Sequence, residues 1–89
     1  MPEITRKILN KAGLHARPAT KLVELTNRYA SDIEIHFEGQ VVDGKKILEV
    51  LTLAAMPGKE LRFLATGPDA DEALSAISDL VAAKFHTDS

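Results

Sequence analysis

The sequence has 89 residues, of which 45% are hydrophobic and only 4% aromatic, and its formal net charge is −2 at pH 7. This length predicts one domain over residues 1–89, with a core built mainly from aliphatic side chains. Positive and negative residues are interspersed without a basic stripe, which argues against a nucleic-acid partner. There is no cysteine, no secretory signal pattern and no apolar run of membrane-spanning length, so we expect a cytoplasmic protein without membrane insertion.

A strand and a helix are predicted in the first third of the chain. Residues 3–9 contain β-branched side chains in rough alternation, which favours a strand, and residues 10–13 favour a turn. Because Pro18 lacks a backbone N–H and fits only the first turn of a helix, the helix that follows must begin within one or two residues of His15. Its expected buried face recurs at helical spacing and comprises Ala19, Leu22, Val23, Thr26 and Ala30.

The rest of the chain predicts three strands and two helices. Residues 31–38 alternate between apolar and polar types, which indicates a strand with one solvent-exposed face, and Glu38-Gly39 is expected to turn the chain into a short strand at 40–42. Residues 46–53 predict a short apolar helix, and residues 61–65 predict another strand.

The last helix is the most strongly marked element. Asp69, with Glu72 three residues later, predicts a start with a capping box. The predicted face of this helix comprises Ala70, Ala73, Leu74, Ile77, Leu80, Val81 and Lys84. Beyond the helix, disorder is expected only in the last few residues of the chain, 85–89.

The resulting order is βαββαβα. An antiparallel sheet with its helices packed on one face buries all of these apolar stripes and leaves the other face of the sheet to solvent. The pattern therefore predicts an α/β two-layer (α+β) architecture.

The segment from Gly13 to Pro18 combines residue types that suit phosphoryl chemistry. Gly13 permits a sharp turn and Pro18 fixes the first helical turn, so His15 lies at or just before the helix N-terminus. Backbone N–H groups there have no intrahelical acceptor, and with the helix dipole they favour an anion by ~0.3–1 kcal/mol when exposed. Arg17 adds a planar cation suited to phosphate oxygens. A nucleophile beside an anion site is what reversible phosphoryl transfer requires.

The residues alone leave a simpler interpretation open, in which His15 is an ordinary surface residue or a plain helix cap. His36, on the polar side of its strand, and His86, in the tail, are expected to be merely solvated. The three histidines share no metal-ligand spacing, so we predict no metal. No nucleotide-binding loop is evident either, so we predict no cofactor and expect the phosphoryl donor to bring its own catalytic machinery.

Residues 13–19, Gly-Leu-His-Ala-Arg-Pro-Ala, resemble the phosphorylation-site motif of HPr, the histidine-containing phosphocarrier of the bacterial phosphoenolpyruvate-dependent phosphotransferase system. The resemblance extends over the whole chain in length and element order, and it includes the apolar helix at 47–53 and the approach to the last helix at 65–68. It implies an open-faced sandwich, in which a four-stranded antiparallel sheet in order 1-4-2-3 is covered on one face by three helices.

The same resemblance implies a function in sugar transport. His15 would accept a phosphoryl group on Nδ1 from phospho-enzyme I and donate it to an enzyme IIA domain. Arg17 would steady the phosphoryl group, which would be bound at the helix N-terminus by the region of Ala16, Arg17 and Pro18. Such a protein is a monomeric, stoichiometric carrier rather than a stand-alone catalyst.

Members of this family dock enzyme I and enzyme IIA on apolar side chains near the active histidine. The helix at 46–53 contains more apolar residues than one buried side requires, because Val50, Leu53 and Ala54 can supply that side. The alternative is that this helix is fully buried. The predicted docking surface comprises Leu14, Thr20, Ile47, Leu48 and Leu51.

Two positions depart from the family pattern. Lys46 stands where many Gram-positive members have a serine phosphorylated by a regulatory kinase, so that branch of regulation is expected to be absent. Ala12 stands where many carriers have Asn or Ser, so any contact of such a side chain with the active histidine is missing. Other features, such as Lys-Ala-Gly before Leu14, are reminiscent of nitrogen-branch relatives. The alternative function is therefore a regulatory docking module that acts mainly by binding partners.

Overall fold

The computed structural model describes residues 2–87, in which four strands form a single antiparallel sheet in the order β1-β4-β2-β3. This order and the three helices on one face of the sheet confirm the predicted fold. The strands are β1 (Glu3–Lys7), β2 (Asp32–Phe37), β3 (Gln40–Asp43) and β4 (Glu60–Thr66). The helices are α1 (Ala16–Thr26), α2 (Ile47–Leu51) and α3 (Ala70–Ala82), followed by a 3₁₀ turn at Lys84–His86.

The central strand pair shows why the sheet has one dry face. Ile33 and Ile35 of β2 are at most 2% exposed, and they pair with Ala65 and Phe63 of β4, which are fully buried. The polar residues between them point to the other side, as the alternation predicted. The buried face of the sheet packs against the helices and forms one continuous aliphatic core.

Helix α1 begins where the sequence predicted and ends earlier. His15 has an extended backbone and is the N-cap, and the first bond along the helix runs from the N–H of Ala19 to the carbonyl of His15 at 2.9 Å. Ala19, Leu22 and Thr26 are fully buried. Ala30 was wrongly predicted to continue this face: the helix ends at Thr26 and Ala30 is exposed.

Side chains at the end of α1 hold the segment that leads from β3 into α2. The hydroxyl of Thr26 donates to the carbonyl of Gly44 at 2.7 Å, and the side-chain amide of Asn27 donates to the carbonyl of Lys45 at 3.0 Å. In return, Nζ of Lys45 donates to the carbonyl of Tyr29 at 2.7 Å. These three hydrogen bonds fix the start of α2 relative to α1.

The capping box predicted at the start of α3 is wrong. Asp69 is the N-cap residue, but its side chain makes no capping hydrogen bond. Its carboxylate instead accepts the backbone N–H groups of Ala30 and Ser31, each at 2.9 Å. Donors from the segment after α1 have therefore replaced the N–H groups of α3 as the partners of the Asp69 carboxylate. The predicted buried face of α3 is otherwise correct as far as Val81, whereas Lys84 is exposed beyond the end of the helix.

The residues after α3 are ordered as far as the structure describes them, contrary to the expected disorder from residue 85. Phe85 is fully buried and the turn around it packs against α1 and α3. Lys84, Phe85 and His86 all adopt left-handed backbone conformations, with φ between 55° and 57°. Residues 88 and 89 lie outside the described part of the chain.

Candidate functional site

His15 sits at the N-terminus of α1, where backbone donors face outward. Its side chain is half-buried, and it makes no side-chain cap to its own helix. The N–H groups of Ala16 and Arg17 belong to the first turn and have no intrahelical acceptor, while Pro18 has no N–H at all. Two backbone donors and the positive end of the helix dipole therefore lie beside the imidazole, which is the environment that an anion requires.

The turn before His15 is held from two directions. The side-chain amide of Asn10, itself 1% exposed, donates to the carbonyl of Gly13 at 2.5 Å. The N–H of Leu14 donates to the carbonyl of Ala55 at 2.8 Å. Gly13 has φ +76°, and a β-carbon there would lie 2.4 Å from the oxygen of Ala55. Only glycine fits this position, because both the backbone conformation and the space exclude a side chain.

Arg17 is placed where it can meet an anion bound next to His15. It follows the N-cap by two residues and is exposed. Within residues 2–87 its guanidinium takes part in no hydrogen bond or ion pair, so all of its N–H donors are available to phosphate oxygens.

The residues predicted to form the docking surface are only partly brought together. Leu48 is 77% exposed, Thr20 is exposed, and Ile47 and Leu51 are half-buried, so α2 is not the fully buried helix of the alternative prediction. Helix α2 packs against α1, and the segment that follows α2 is joined to the residue before His15 by the hydrogen bond from the N–H of Leu14 to the carbonyl of Ala55.

Two residues differ from their predicted burial: one expected to contact partners is buried, and one expected in the core is exposed. The side chain of Leu14 is 3% exposed and belongs to the core, so it offers a partner almost no surface. Val50 and Leu53 are buried as predicted, but Ala54 is exposed and has φ 47°. The chain leaves the helical path after Leu51, which turns Ala54 away from the core.

His36 is more constrained than a merely solvated residue. Its Nε2 lies 2.9 Å from Oε1 of Glu34, and its Nδ1 lies 3.2 Å from Nη2 of Arg62. Glu34, His36 and Arg62 thus form a row of polar side chains on the face of the sheet that no helix covers. His86 is exposed, as predicted.

Two further searches of residues 2–87 bear on other functions. No three histidine, aspartate or glutamate side chains are grouped closely enough to hold a metal ion in this part of the chain. None of its helices is both long and apolar enough to cross a membrane.

Residues 2–83 match the family model described as the PTS HPr component phosphorylation site. The chain belongs to the HPr family. This assignment confirms the resemblance carried by residues 13–19, and it identifies the protein as a phosphocarrier component of the phosphotransferase system.

Individual HPr proteins support the same assignment. The chain is 40% identical over 78 residues to the phosphocarrier protein HPr of Cupriavidus necator, covering 88% of each sequence. It superposes on the crystal structure of HPr from Thermoanaerobacter tengcongensis with a TM-score of 0.93 at 36% identity, covering 98% of each chain. A crystal structure of an HPr dimer from the same organism superposes with a TM-score of 0.77 at 36% identity, covering 96% of this chain and 98% of that one.

Asn10 is the residue at this site that the sequence did not reveal. The segment 10–13 indicated only a turn, and an asparagine in a turn normally faces solvent. The loop at residues 55–59, from a distant part of the chain, is hydrogen-bonded to Ile8 and Leu14 on either side of this turn, and Asn10 between them is 1% exposed.

Proposed function

We propose that this HPr protein accepts a phosphoryl group from phospho-enzyme I on His15 and donates it to an enzyme IIA domain. The lone pair of Nδ1 forms the new bond to phosphorus while the bond to the donor breaks and its electron pair stays with the donor. The ring proton remains on Nε2. In the second transfer the same steps run in the opposite direction from His15 to the acceptor.

The position of His15 as the N-cap of α1 carries this proposal. The N–H groups of Ala16 and Arg17 are suited to hold phosphoryl oxygens, and the guanidinium of Arg17 is suited to balance their charge. These groups bind the product of phosphorylation and not the free imidazole, so they lower the free energy of the phosphorylated state.

The partners are proposed to dock on the exposed face formed by Thr20, Ile47, Leu48 and Leu51. A small apolar patch suits a carrier, because each partner must be released after the transfer. We propose that the protein works as a cytoplasmic monomer, so that one face serves donor and acceptor in turn.

Phosphorylation by purified enzyme I and phosphoenolpyruvate, read by intact mass, tests the proposal. We expect a gain of one phosphoryl group that is acid-labile, absent from His15→Ala and retained in the matched control His86→Ala. If a cognate enzyme I active on another carrier gives no gain with the wild type, the carrier function is refuted. Partner binding without phosphorylation would instead support a regulatory docking module.

The role of Arg17 has a test of its own. Arg17→Ala is expected to accept phosphate more slowly and to lose it faster to water, because the phosphoryl charge is no longer balanced. The lifetime of the phosphorylated protein, followed by mass, measures this effect. Lys21→Ala, on an exposed position of the same helix, is the matched control. Equal lifetimes of the phosphorylated Arg17→Ala and Lys21→Ala variants would show that Arg17 does not stabilise the phosphoryl group.

A further inference from the structure

Asn10 is a buried polar residue in the turn between β1 and α1. Its side chain is 1% exposed, which is rare for asparagine unless the amide is hydrogen-bonded. Its Nδ2 donates to the carbonyl oxygen of Gly13 at 2.5 Å, and the N–H of Gly13 donates back to the carbonyl of Asn10 at 3.3 Å. The side chain thus spans the turn that leads to His15.

The carbonyl of Gly13 is shared between Asn10 and the active histidine. The backbone N–H of His15 donates to the same oxygen at 3.2 Å. Asn10 and the backbone N–H of His15 therefore meet at one carbonyl oxygen, so the side chain of Asn10 is linked to the active histidine through the backbone.

The peptide unit between Gly13 and Leu14 is held at both ends. Its oxygen accepts from Asn10, and its N–H donates to the carbonyl of Ala55 at 2.8 Å. A peptide group is planar, so fixing its oxygen and its hydrogen fixes the rotation of the whole plane. The backbone of His15 begins one residue later, and its direction depends on that plane.

We propose that Asn10 is a positioning residue for phosphoryl transfer, which holds the Gly13–Leu14 peptide so that the imidazole of His15 projects at the angle required for in-line attack. The inference rests on the proposed carrier function. Transfer rates depend steeply on the placement of the nucleophile, and a displacement of about 1 Å can lower a rate by up to about a hundredfold. Because the side chain of Asn10 is 1% exposed, a docked partner does not reach it, and its effect on the transfer falls on that placement.

Two variants of Asn10 test this role. Asn10→Ala removes the donor. Asn10→Ser retains a small neutral polar group, but its hydroxyl is attached closer to the backbone and falls short of the oxygen of Gly13. The matched control is Ser31→Ala, since Ser31 is also fully buried, donates one side-chain hydrogen bond, and lies beyond the other end of α1. All rates are corrected for the folded fraction measured by circular dichroism.

Steady-state phosphorylation by enzyme I, with the carrier as the varied substrate, separates positioning from docking. We expect both Asn10 variants to lower kcat by about tenfold while leaving KM within twofold of the wild type. Ser31→Ala is expected to change neither constant. The amide proton of His15 should also exchange faster in the Asn10 variants than in Ser31→Ala.

The outcomes distinguish this inference from the function on which it rests. A wild type that accepts phosphate, together with Asn10 variants whose kcat equals that of Ser31→Ala, overturns the positioning role and leaves the carrier function standing. A rise in KM at constant kcat overturns it as well, because that result assigns Asn10 to partner docking. A wild type that accepts no phosphate refutes both proposals.

Discussion

The hydroxyl of Ser31 donates to the carboxylate of Asp69 at 2.5 Å, across a sequence separation of 38 residues. The same carboxylate accepts the backbone N–H groups of Ser31 and Ala30, so it joins the segment after α1 to the start of α3. These donors stabilise the ionised carboxylate. They lower the pKa of Asp69 below its ordinary value, the hydrogen bond from the Ser31 side chain being the largest cause.

The first prediction concerns the pH dependence of stability. Because the folded state lowers the pKa of Asp69, its ionised form stabilises the fold above the ordinary aspartate pKa of about 4. That contribution is lost as the pH falls through the lower folded pKa. Asp69→Asn should therefore unfold at a lower temperature than the wild type at pH 7, and the difference should shrink towards pH 3. Thermal unfolding by circular dichroism measures this.

Asp71, exposed in the first turn of the same helix, provides the control for Asp69. Asp71→Asn is expected to give a smaller and flatter difference over the same pH range. A difference for Asp69→Asn that stays constant from pH 7 to pH 3 would contradict the assigned ion–dipole contacts.

The second prediction concerns the turn before His15. Gly13→Ala introduces a β-carbon 2.4 Å from the oxygen of Ala55 at a residue with φ +76°. We expect a loss of at least about 2 kcal/mol in the free energy of unfolding, since the left-handed backbone alone costs about 1–2 kcal/mol and the collision adds to it. Gly58→Ala has φ +85° and open space around it, so only the backbone cost remains. Chemical denaturation that gives equal losses for the two variants would argue against the close approach of Gly13 to Ala55.

The third prediction concerns the end of the chain. Phe85→Ala removes a fully buried aromatic ring and is expected to cost about 3–5 kcal/mol of stability. The exposed neighbour His86 provides the control, with an expected change for His86→Ala of less than about 0.5 kcal/mol. Urea unfolding measures both. A small effect of Phe85→Ala would mean that the turn after α3 contributes little to the core.

The fourth prediction separates docking from chemistry. Leu48 is 77% exposed, so Leu48→Ser should leave the unfolding temperature nearly unchanged. It should weaken binding to enzyme I by about 1 kcal/mol or more if Leu48 is central to the interface. Val41, 56% exposed on β3 and opposite His36 on the uncovered face of the sheet, is the control, as Val41→Ser should bind normally. Calorimetric titration measures the affinity of each variant for enzyme I. Equal affinities of the Leu48 variant and its control would show that Leu48 does not belong to the docking surface.

The features that could be predicted from sequence are those fixed by local chemistry. Pro18 restricts the start of α1 to a narrow interval, so the position of His15 at the helix N-terminus was predictable without any tertiary information. Alternation over β2 likewise specifies its buried face, because a shift of one residue would expose Ile33 and Ile35.

Two failed predictions, Ala30 and Ala54, come from helices that end earlier than the apolar spacing indicated, whereas the others involve residues whose partners are distant in sequence. Asp69 has the spacing of a capping box, but donors from Ser31 compete successfully for its carboxylate. Leu14 lies beside the active histidine, yet its side chain belongs to the core and its N–H donates to the carbonyl of the distant Ala55. Phe85 could not be placed because three successive left-handed residues without glycine have no sequence signature, and only the fit of its ring into the core offsets their backbone cost.

The hydrogen bond from Nζ of Lys45 to the carbonyl of Tyr29 places this tyrosine beside the segment that leads into α2. Tyr29 is the single tyrosine in a sequence that has no tryptophan. Its half-buried ring therefore provides the dominant intrinsic fluorescence signal, and that signal originates at the junction between the end of α1 and the segment leading into α2. A partner that shifts α2 changes the surroundings of one identifiable fluorophore, so complex formation can be timed by stopped-flow mixing without a label.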